Sequence, residues 1–290
     1  MACSRFEYVK LFESHDRLLP GCWAVIRLDG RCFTSFAKKH SFRKPNDERA
    51  LNLSNAAAKQ VLKTFDNHLV LAYGQSDEYS FVLKRESNLF SRRESKILST
   101  VVSMFTSVYV LMWSKFMDVE LQEPPTFDGR IVLYPLTCHL RDYLSWRQAD
   151  THVNNLFNTA FWALVDQDGK SLKEAEKLLK GTNSKEKNEL LFSQFGINYN
   201  NEPQMFRKGS LIIRRPGNEG YEFPKRRRVD QPSNEDHKGT TYLVDMQKDL
   251  APSDDDYHVL HTDIIKDDFW KQHHYLLWPP DDSPPRIRKT

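Results

Sequence analysis

Cysteine is scarce in this 290-residue chain. The four present, Cys3, Cys22, Cys32 and Cys138, form no close pair, which argues against a zinc knuckle or a disulfide framework. A reducing compartment is therefore expected. No apolar run of bilayer length stands out, so no membrane association is expected. The opening residues, Met1 to Lys10, lack the apolar stretch of a signal peptide, and Glu7 and Glu13 make a poor transit peptide. The expected location is the cytoplasm, with the nucleus and the mitochondrion also compatible. A large excess of one charge is missing too: 42 Lys and Arg stand against 39 Asp and Glu, for a net charge of +3. That excludes a histone-like binder and confines any nucleic-acid surface to a local patch. No internal repeat is visible. What the chain has is 39% hydrophobic residues, enough for a real core, in a length that suits one large domain or two coupled ones.

The patterning along the chain has a definite order. Cys22 to Leu28 reads as a buried strand. Asn46 or Asp47 can cap a helix that runs to Phe65. Leu69 to Tyr73 is a second strand, Gly74-Gln75-Ser76-Asp77 supplies turn chemistry, and Tyr79, Phe81 and Leu83 alternate with Ser80 and Val82 in a third strand. Ser91 to Phe116 has helical spacing, and Arg130 to Tyr134 is a fourth strand stopped by Pro135. The order βαββαβ is that of the ferredoxin-like fold, in which the first two strands are parallel and the third lies antiparallel between them. The second half is mainly helical: His139 to Val165, Ser171 to Gly181 and Ser184 to Phe195, with a strand over Lys208 to Arg215 and renewed order from His261 to Trp270. The expected class is thus α+β, a palm-like domain over 1–135 followed by a mostly helical part over 136–216 and 258–278. Residues 217–257, rich in Pro, Gly, Ser, Lys, Arg and Asp, read as a flexible insertion, and 279–290 as a loose tail.

This topology puts the end of the first strand and the tip of the hairpin on one edge of the sheet. Asp29 stands at the first and Asp77 at the second. Paired carboxylates at strand ends are how nucleotidyl-transfer enzymes hold two divalent cations over a triphosphate. Asp29 and Asp77 are hard oxygen ligands of the kind magnesium takes, and Gly30 lets the backbone come close to metal and phosphate. The amides of Gly30, Arg31, Cys32, Phe33 and Thr34 can cradle phosphate oxygens. Either acidic motif alone reads more readily as a polar turn; together on one edge they read as a site. Strand alternation turns Glu78 to the opposite face from Asp77. Arg27, Arg31, Lys44, Arg92, Arg93 and Lys96 are cations available to a triphosphate, and Arg92, Arg93 and Lys96 are expected at the same edge. In the second half, His152 and Asn155 share a helix face, while Lys187-Asn188-Glu189 and Asn198 to Glu202 are polar clusters beside apolar segments. Lys225-Arg226-Arg227-Arg228 is a basic run that suits nuclear import, a phosphate contact or a solvated surface.

Several runs together resemble the tRNA-histidine guanylyltransferase family: Arg27-Leu28-Asp29-Gly30-Arg31, Lys44-Pro45-Asn46-Asp47, Tyr73-Gly74-Gln75-Ser76-Asp77-Glu78-Tyr79, Phe127-Asp128-Gly129-Arg130, Tyr143 to Asp150, His152-Val153-Asn154-Asn155, Lys187-Asn188-Glu189 and Asn198 to Pro203. The resemblance implies addition of a guanylate to the 5′ end of histidine tRNA, in the 3′-to-5′ direction. ATP adenylylates the 5′-phosphate, the GTP 3′-hydroxyl attacks it, and pyrophosphate is removed. It implies two magnesium ions on Asp29, Asp77 and the Gly30 carbonyl, with Glu78 among the catalytic carboxylates. GTP is expected on residues 29–34, Ser76, Asp77 and Lys96. Lys44, Arg130, His152, Asn155, Lys187 and Asn198 are expected to serve activation or the tRNA end, in a homotetramer that shares its tRNA site between subunits. Thr34 departs from the family, which commonly has His there; one nucleotide contact is thereby in question. A broader 3′-to-5′ polymerase that repairs tRNA 5′ ends and a catalytically silent tRNA-binding protein are the alternatives. A cyclic-dinucleotide synthase is disfavoured by the absence of its glycine-rich hairpin.

Overall fold

A computed structural model describes residues 4–14, 16–215 and 256–277. The basic run at 225–228, nearly all of the expected insertion and the expected tail lie outside the described residues. Six strands form one antiparallel sheet in the order β4-β1-β3-β2-β5-β6: β1 is Trp23–Gly30, β2 Leu69–Gln75, β3 Glu78–Leu83, β4 Phe127–Tyr134, β5 Ser210–Arg214 and β6 Tyr257–Leu260. The first four occupy the ferredoxin-like positions, with β3 between β1 and β2 as expected. The division expected at residue 135 does not separate the sheet, because β5 pairs with β2 and β6 with β5.

Eight α-helices are described: α1 Phe33–Lys39, α2 Glu48–Thr64, α3 Glu94–Phe116, α4 Thr137–Asp166, α5 Leu172–Leu179, α6 Ser184–Phe195, α7 Gln204–Lys208 and α8 Asp267–Gln272. Strand alternation divides the core into two layers. Ala24, Ile26, Leu28, Phe81 and Leu83 pack on Leu53, Ala57 and Val61 of α2 and Ile97, Val101 and Phe105 of α3. Trp23, Val25, Leu71 and Val82 pack instead with Leu140, Tyr143 and Leu144 of α4 and Phe269 and Trp270 of α8. A smaller core joins Leu156, Ala160 and Leu164 of α4 to Ala175 of α5, Leu191 of α6 and Tyr199.

Two expectations do not hold. The apolar stretch of α3 is long and apolar enough to cross a membrane, contrary to the reading that no run reaches that length; about a third of it (33%) is buried, the side that packs on the sheet. The start of α3 also lies at the opposite edge of the sheet from Asp29. The physical reason is chain direction: β3 runs away from the hairpin tip, so the helix that follows begins at the far end and returns. The Leu18 amide donates to the Arg92 carbonyl, just ahead of α3, at 2.9 Å.

Candidate active site

β1 ends in Asp29-Gly30, and the β2–β3 turn presents Ser76-Asp77 beside it. The two segments meet closely: a Cβ at Gly30 would lie 2.7 Å from Asp77 Oδ2 and 2.6 Å from Phe33 Cδ2. Only glycine fits this approach. Asp29 and Asp77 line one cavity of about 760 Å³, together with Arg27, Phe33, Thr34, Arg43, Lys44, Asn46, Asp47, Asn55 and Ser76. The opposite wall is α4, which contributes Arg147, Asp150, Asn154, Asn155, Asn158 and Trp162.

Burial, and then the neighbouring charges of Asp29 and Glu78, push the Asp77 carboxyl up to about 6 despite hydrogen bonds at the turn that lower it. A cation placed here would relieve that repulsion. Glu78 faces α4. Arg147 Nε donates to its Oε1 at 2.7 Å, Arg147 Nη2 to its Oε2 at 3.0 Å, and Arg27 Nη2 stands 2.9 Å from Oε2. Arg27 Nη2 also lies 3.4 Å from Asp29 Oδ2.

The cavity rim is built by the entry to α2. Asp47 caps that helix, accepting from the amides of Arg49 at 3.0 Å and Arg43 at 2.9 Å, and the Arg49 guanidinium grips both its oxygens. Burial raises the Asp47 carboxyl, but these donors outweigh it and the net shift is downward. Asn46 Nδ2 donates to Asn155 Oδ1 at 2.9 Å, and Asn155 Nδ2 to the Tyr199 hydroxyl at 3.1 Å, so the rim is joined directly to α4. Lys44 Nζ lies 5.6 Å from the centre of the Trp162 ring.

The structure gathers some of the expected residues and disperses others. Asp29, Phe33, Thr34, Lys44, Ser76, Asp77, Glu78 and Asn155 line the cavity. Arg31 and Cys32 are exposed beside it, and the Arg31 amide is spent on the Thr126 carbonyl at 2.9 Å, so it is not part of a free cradle. Lys96 sits 4.8 Å from the Phe90 ring, which packs on Phe65 at the far end of α2, not beside Asp29. Arg93 lies at that far edge, bridged to Arg17. Arg92 is buried there, donating to the carbonyls of Leu19 at 2.8 Å, Ser87 at 3.1 Å and Cys22 at 3.2 Å; it braces loops. Arg130 is on the edge strand, 3.5 Å from Asp128. The His152 ring packs on Tyr199, and burial followed by Lys208 and Arg207 lowers its pKa. Lys187 Nζ donates to the Thr182 carbonyl at 2.6 Å beside a second cavity, while Asn198 caps the turn at Tyr199–Asn201. The sequence reading overlooked Arg43, Asn46, Asn154, Asn158 and Arg147 as cavity residues. The four- and three-residue spacing of 147, 150, 154 and 158 along a helix was the available signal.

An antiparallel sheet of this order, with carboxylates where two neighbouring strands turn and a large polar cavity over them, defines a palm-type nucleotidyltransferase. Comparison with known proteins narrows the class. Residues 6–135 match the family described as tRNAHis guanylyltransferase, and 138–266 match the Thg1 C terminal domain. A probable tRNA(His) guanylyltransferase of Drosophila melanogaster is 50% identical over 277 residues, covering 96% of this chain and 86% of its own length. The tRNA(His) guanylyltransferase of Schizosaccharomyces pombe is 50% identical over 276 residues, 95% of this chain and 98% of its own. The crystal structure of the Saccharomyces cerevisiae enzyme superposes with a TM-score of 0.69 at 51% identity, covering 72% of this chain and 93% of that one. A bacterial tRNA(His) guanylyltransferase-like protein in complex with ATP shares the fold, with a TM-score of 0.64 at 23% identity over 93% of this chain and 96% of that one. The chain belongs to the tRNA(His) guanylyltransferase family.

Proposed function

We propose that this protein adds a guanylate to the 5′ end of histidine tRNA, using ATP and GTP. The observation that carries the reading is the meeting of Asp29, Gly30 and Asp77 at one end of the cavity, in a chain about half identical to guanylyltransferases along nearly its whole length. ATP adenylylates the tRNA 5′-phosphate with loss of pyrophosphate. The 3′-hydroxyl of GTP then attacks that phosphate and AMP leaves. Cleavage of pyrophosphate from the added nucleotide completes the reaction.

The residues present fit two magnesium ions. Among the described residues no three His, Cys, Asp or Glu side chains converge into a ready metal site. Asp29, Asp77 and the Gly30 carbonyl would hold the ions, with water and triphosphate oxygens completing the shell. The glycine approach to Asp77 and the raised pKa of that carboxyl support this assignment. Magnesium, when bound, supplies polarisation of the attacked phosphate and neutralises the triphosphate. Thr34, Ser76, Arg43 and Lys44 line the cavity and would orient the nucleotide, and the α4 asparagines would meet the tRNA end. A homotetramer accompanies this reading by resemblance; a cytoplasmic location, with nucleus or mitochondrion compatible, is the expectation from the cysteine usage and the N-terminal sequence.

The test is incubation of purified protein with 5′-monophosphorylated histidine tRNA, magnesium, ATP and labelled GTP, beside Asp77→Ala and a chelator control. Labelled guanylate on the 5′ end, lost in both controls, is expected. Tight tRNA binding without transfer would favour a silent binding protein. Equal extension of 5′-truncated tRNAs of other identities would favour the broader polymerase. Light scattering of the eluted protein tests the tetramer.

A further inference from the structure

A continuous polar chain crosses from the sheet to α4 behind the carboxylate pair. Arg147, 4% exposed, sets its guanidinium fork on the two Glu78 oxygens at 2.7 and 3.0 Å. The same Nη2 lies 2.8 Å from Asp150 Oδ2, which accepts from Asn154 Nδ2 at 3.1 Å. On the sheet side Arg27 joins Glu78 to Asp29. Glu78 follows Asp77 directly and opens β3. Ser76, on the other side of Asp77, has φ +51°, a left-handed conformation that a residue other than glycine keeps only where its surroundings over-determine it.

We propose that Arg147 is a positioning residue for the transfer reaction. Through Glu78 it fixes the Ser76-Asp77 turn, and through Asp150 and Asn154 it ties that turn to the cavity-facing side of α4. The inference rests on the function proposed above. Stability is a weak explanation for such a pair, since the desolvation of two buried charges consumes most of their attraction. Orientation is the stronger one. Two parallel N–H···O bonds fix the plane of a carboxylate, which a point charge does not. Trp146, whose ring centre is 4.3 Å from the Arg147 guanidinium, further limits how that fork can turn.

The decisive variant is Arg147→Lys, which keeps the charge and removes the fork. Melting temperature, GTP KM and kcat are measured beside the unaltered protein. A kcat loss on the order of 100-fold with KM changed by less than about threefold is expected, because a displaced reacting group costs rate more than ground-state binding. A kcat within about threefold of the unaltered protein overturns the inference, and so does a raised KM with kcat intact, which would mark a direct substrate contact. If Arg147→Lys does not fold, Arg147→Met combined with Glu78→Met removes both charges. That double variant, in which Arg27 keeps Asp29 and Asp150 keeps Asn154, is expected to fold while kcat stays depressed; recovery of kcat along with the fold would overturn the inference. Absence of transfer by the unaltered protein overturns the functional reading and the inference with it, whereas an active protein and an equally active Arg147→Lys overturn the inference alone.

Discussion

Gly30→Ala tests the central geometry with a single methyl group. The added carbon would stand 2.6 Å from Phe33 Cδ2 and 2.7 Å from Asp77 Oδ2, both well inside contact distance. Phe33 has little room to yield, for its ring centre lies 4.9 Å from that of Phe36 and 5.6 Å from that of Phe127. The Asp77 carboxylate, at the cavity surface, must then move. Overpacking of this kind costs about 1–3 kcal/mol. Spent at the reacting centre at about 1.36 kcal/mol per decade, it predicts a rate loss of roughly 5- to 150-fold. Spent on the whole fold, it would lower the melting temperature by at most about 4 °C per kcal/mol. The assay is single-turnover addition of guanylate to 5′-triphosphorylated tRNA, which bypasses adenylylation, with melting measured in parallel. Gly30→Ala combined with Phe33→Leu relieves one of the two clashes, so stability should recover more than rate. A Gly30→Ala rate within about threefold of the unaltered protein would refute the claim that this approach sets the carboxylate.

Three further outcomes are expected. Asp47→Asn keeps a capping oxygen but loses the charged grip of Arg49, so urea unfolding at pH 7 should show a loss of about 1.5–3 kcal/mol. Because the folded Asp47 carboxyl is held below its ordinary value of about 3.9, its contribution is present above that pH and disappears as the pH falls through the lower folded value. The gap between Asp47→Asn and the unaltered protein should therefore close in that acid range, and a constant gap would contradict the assignment. Arg92→Ala leaves the carbonyls of Leu19, Ser87 and Cys22 without this donor and should destabilise by about 1–3 kcal/mol for each that water cannot reach, with any folded fraction keeping its GTP KM; a KM rise without destabilisation would restore Arg92 as a phosphate ligand. Asn155→Ala removes the bridge between Asn46 and Tyr199 and should weaken ATP-dependent activation more than guanylate addition to triphosphorylated tRNA; equal loss in both steps would remove that distinction.

Much of the fold was legible because its signals are local. Alternation in Tyr79 to Leu83, turn chemistry at Gly74 to Asp77 and helical spacing after Asn46 led to the order of the first four strands, and that order alone brings Asp29 to Asp77. The helix α1 was not legible: it is seven residues long, opens from Cys32 in a left-handed conformation and lacks a side-chain cap. Lys96 was misplaced because its basic neighbours suggested a phosphate site, whereas direction of travel along β3 puts it at the opposite end. The Glu78–Arg147 pair was beyond reach for another reason. The two residues are 69 positions apart, and nothing in either local pattern names the other. Arg92 shows the same limit, since a buried guanidinium serving carbonyls looks in sequence like any surface cation.

The pairing of β5 and β6 onto β2 has a consequence for how the chain is made. A ribosome that has released only the first 135 residues has produced four strands with β2 as a bare edge, whose exposed backbone groups invite pairing with other chains. That edge is covered by residues 210–214, which are in turn covered by 257–260. The catalytic half therefore cannot finish its sheet from its own residues; it waits until residues 210–214 and 257–260 have been made. Truncation after residue 215 would leave every carboxylate of the site in place and still send out an unfinished sheet.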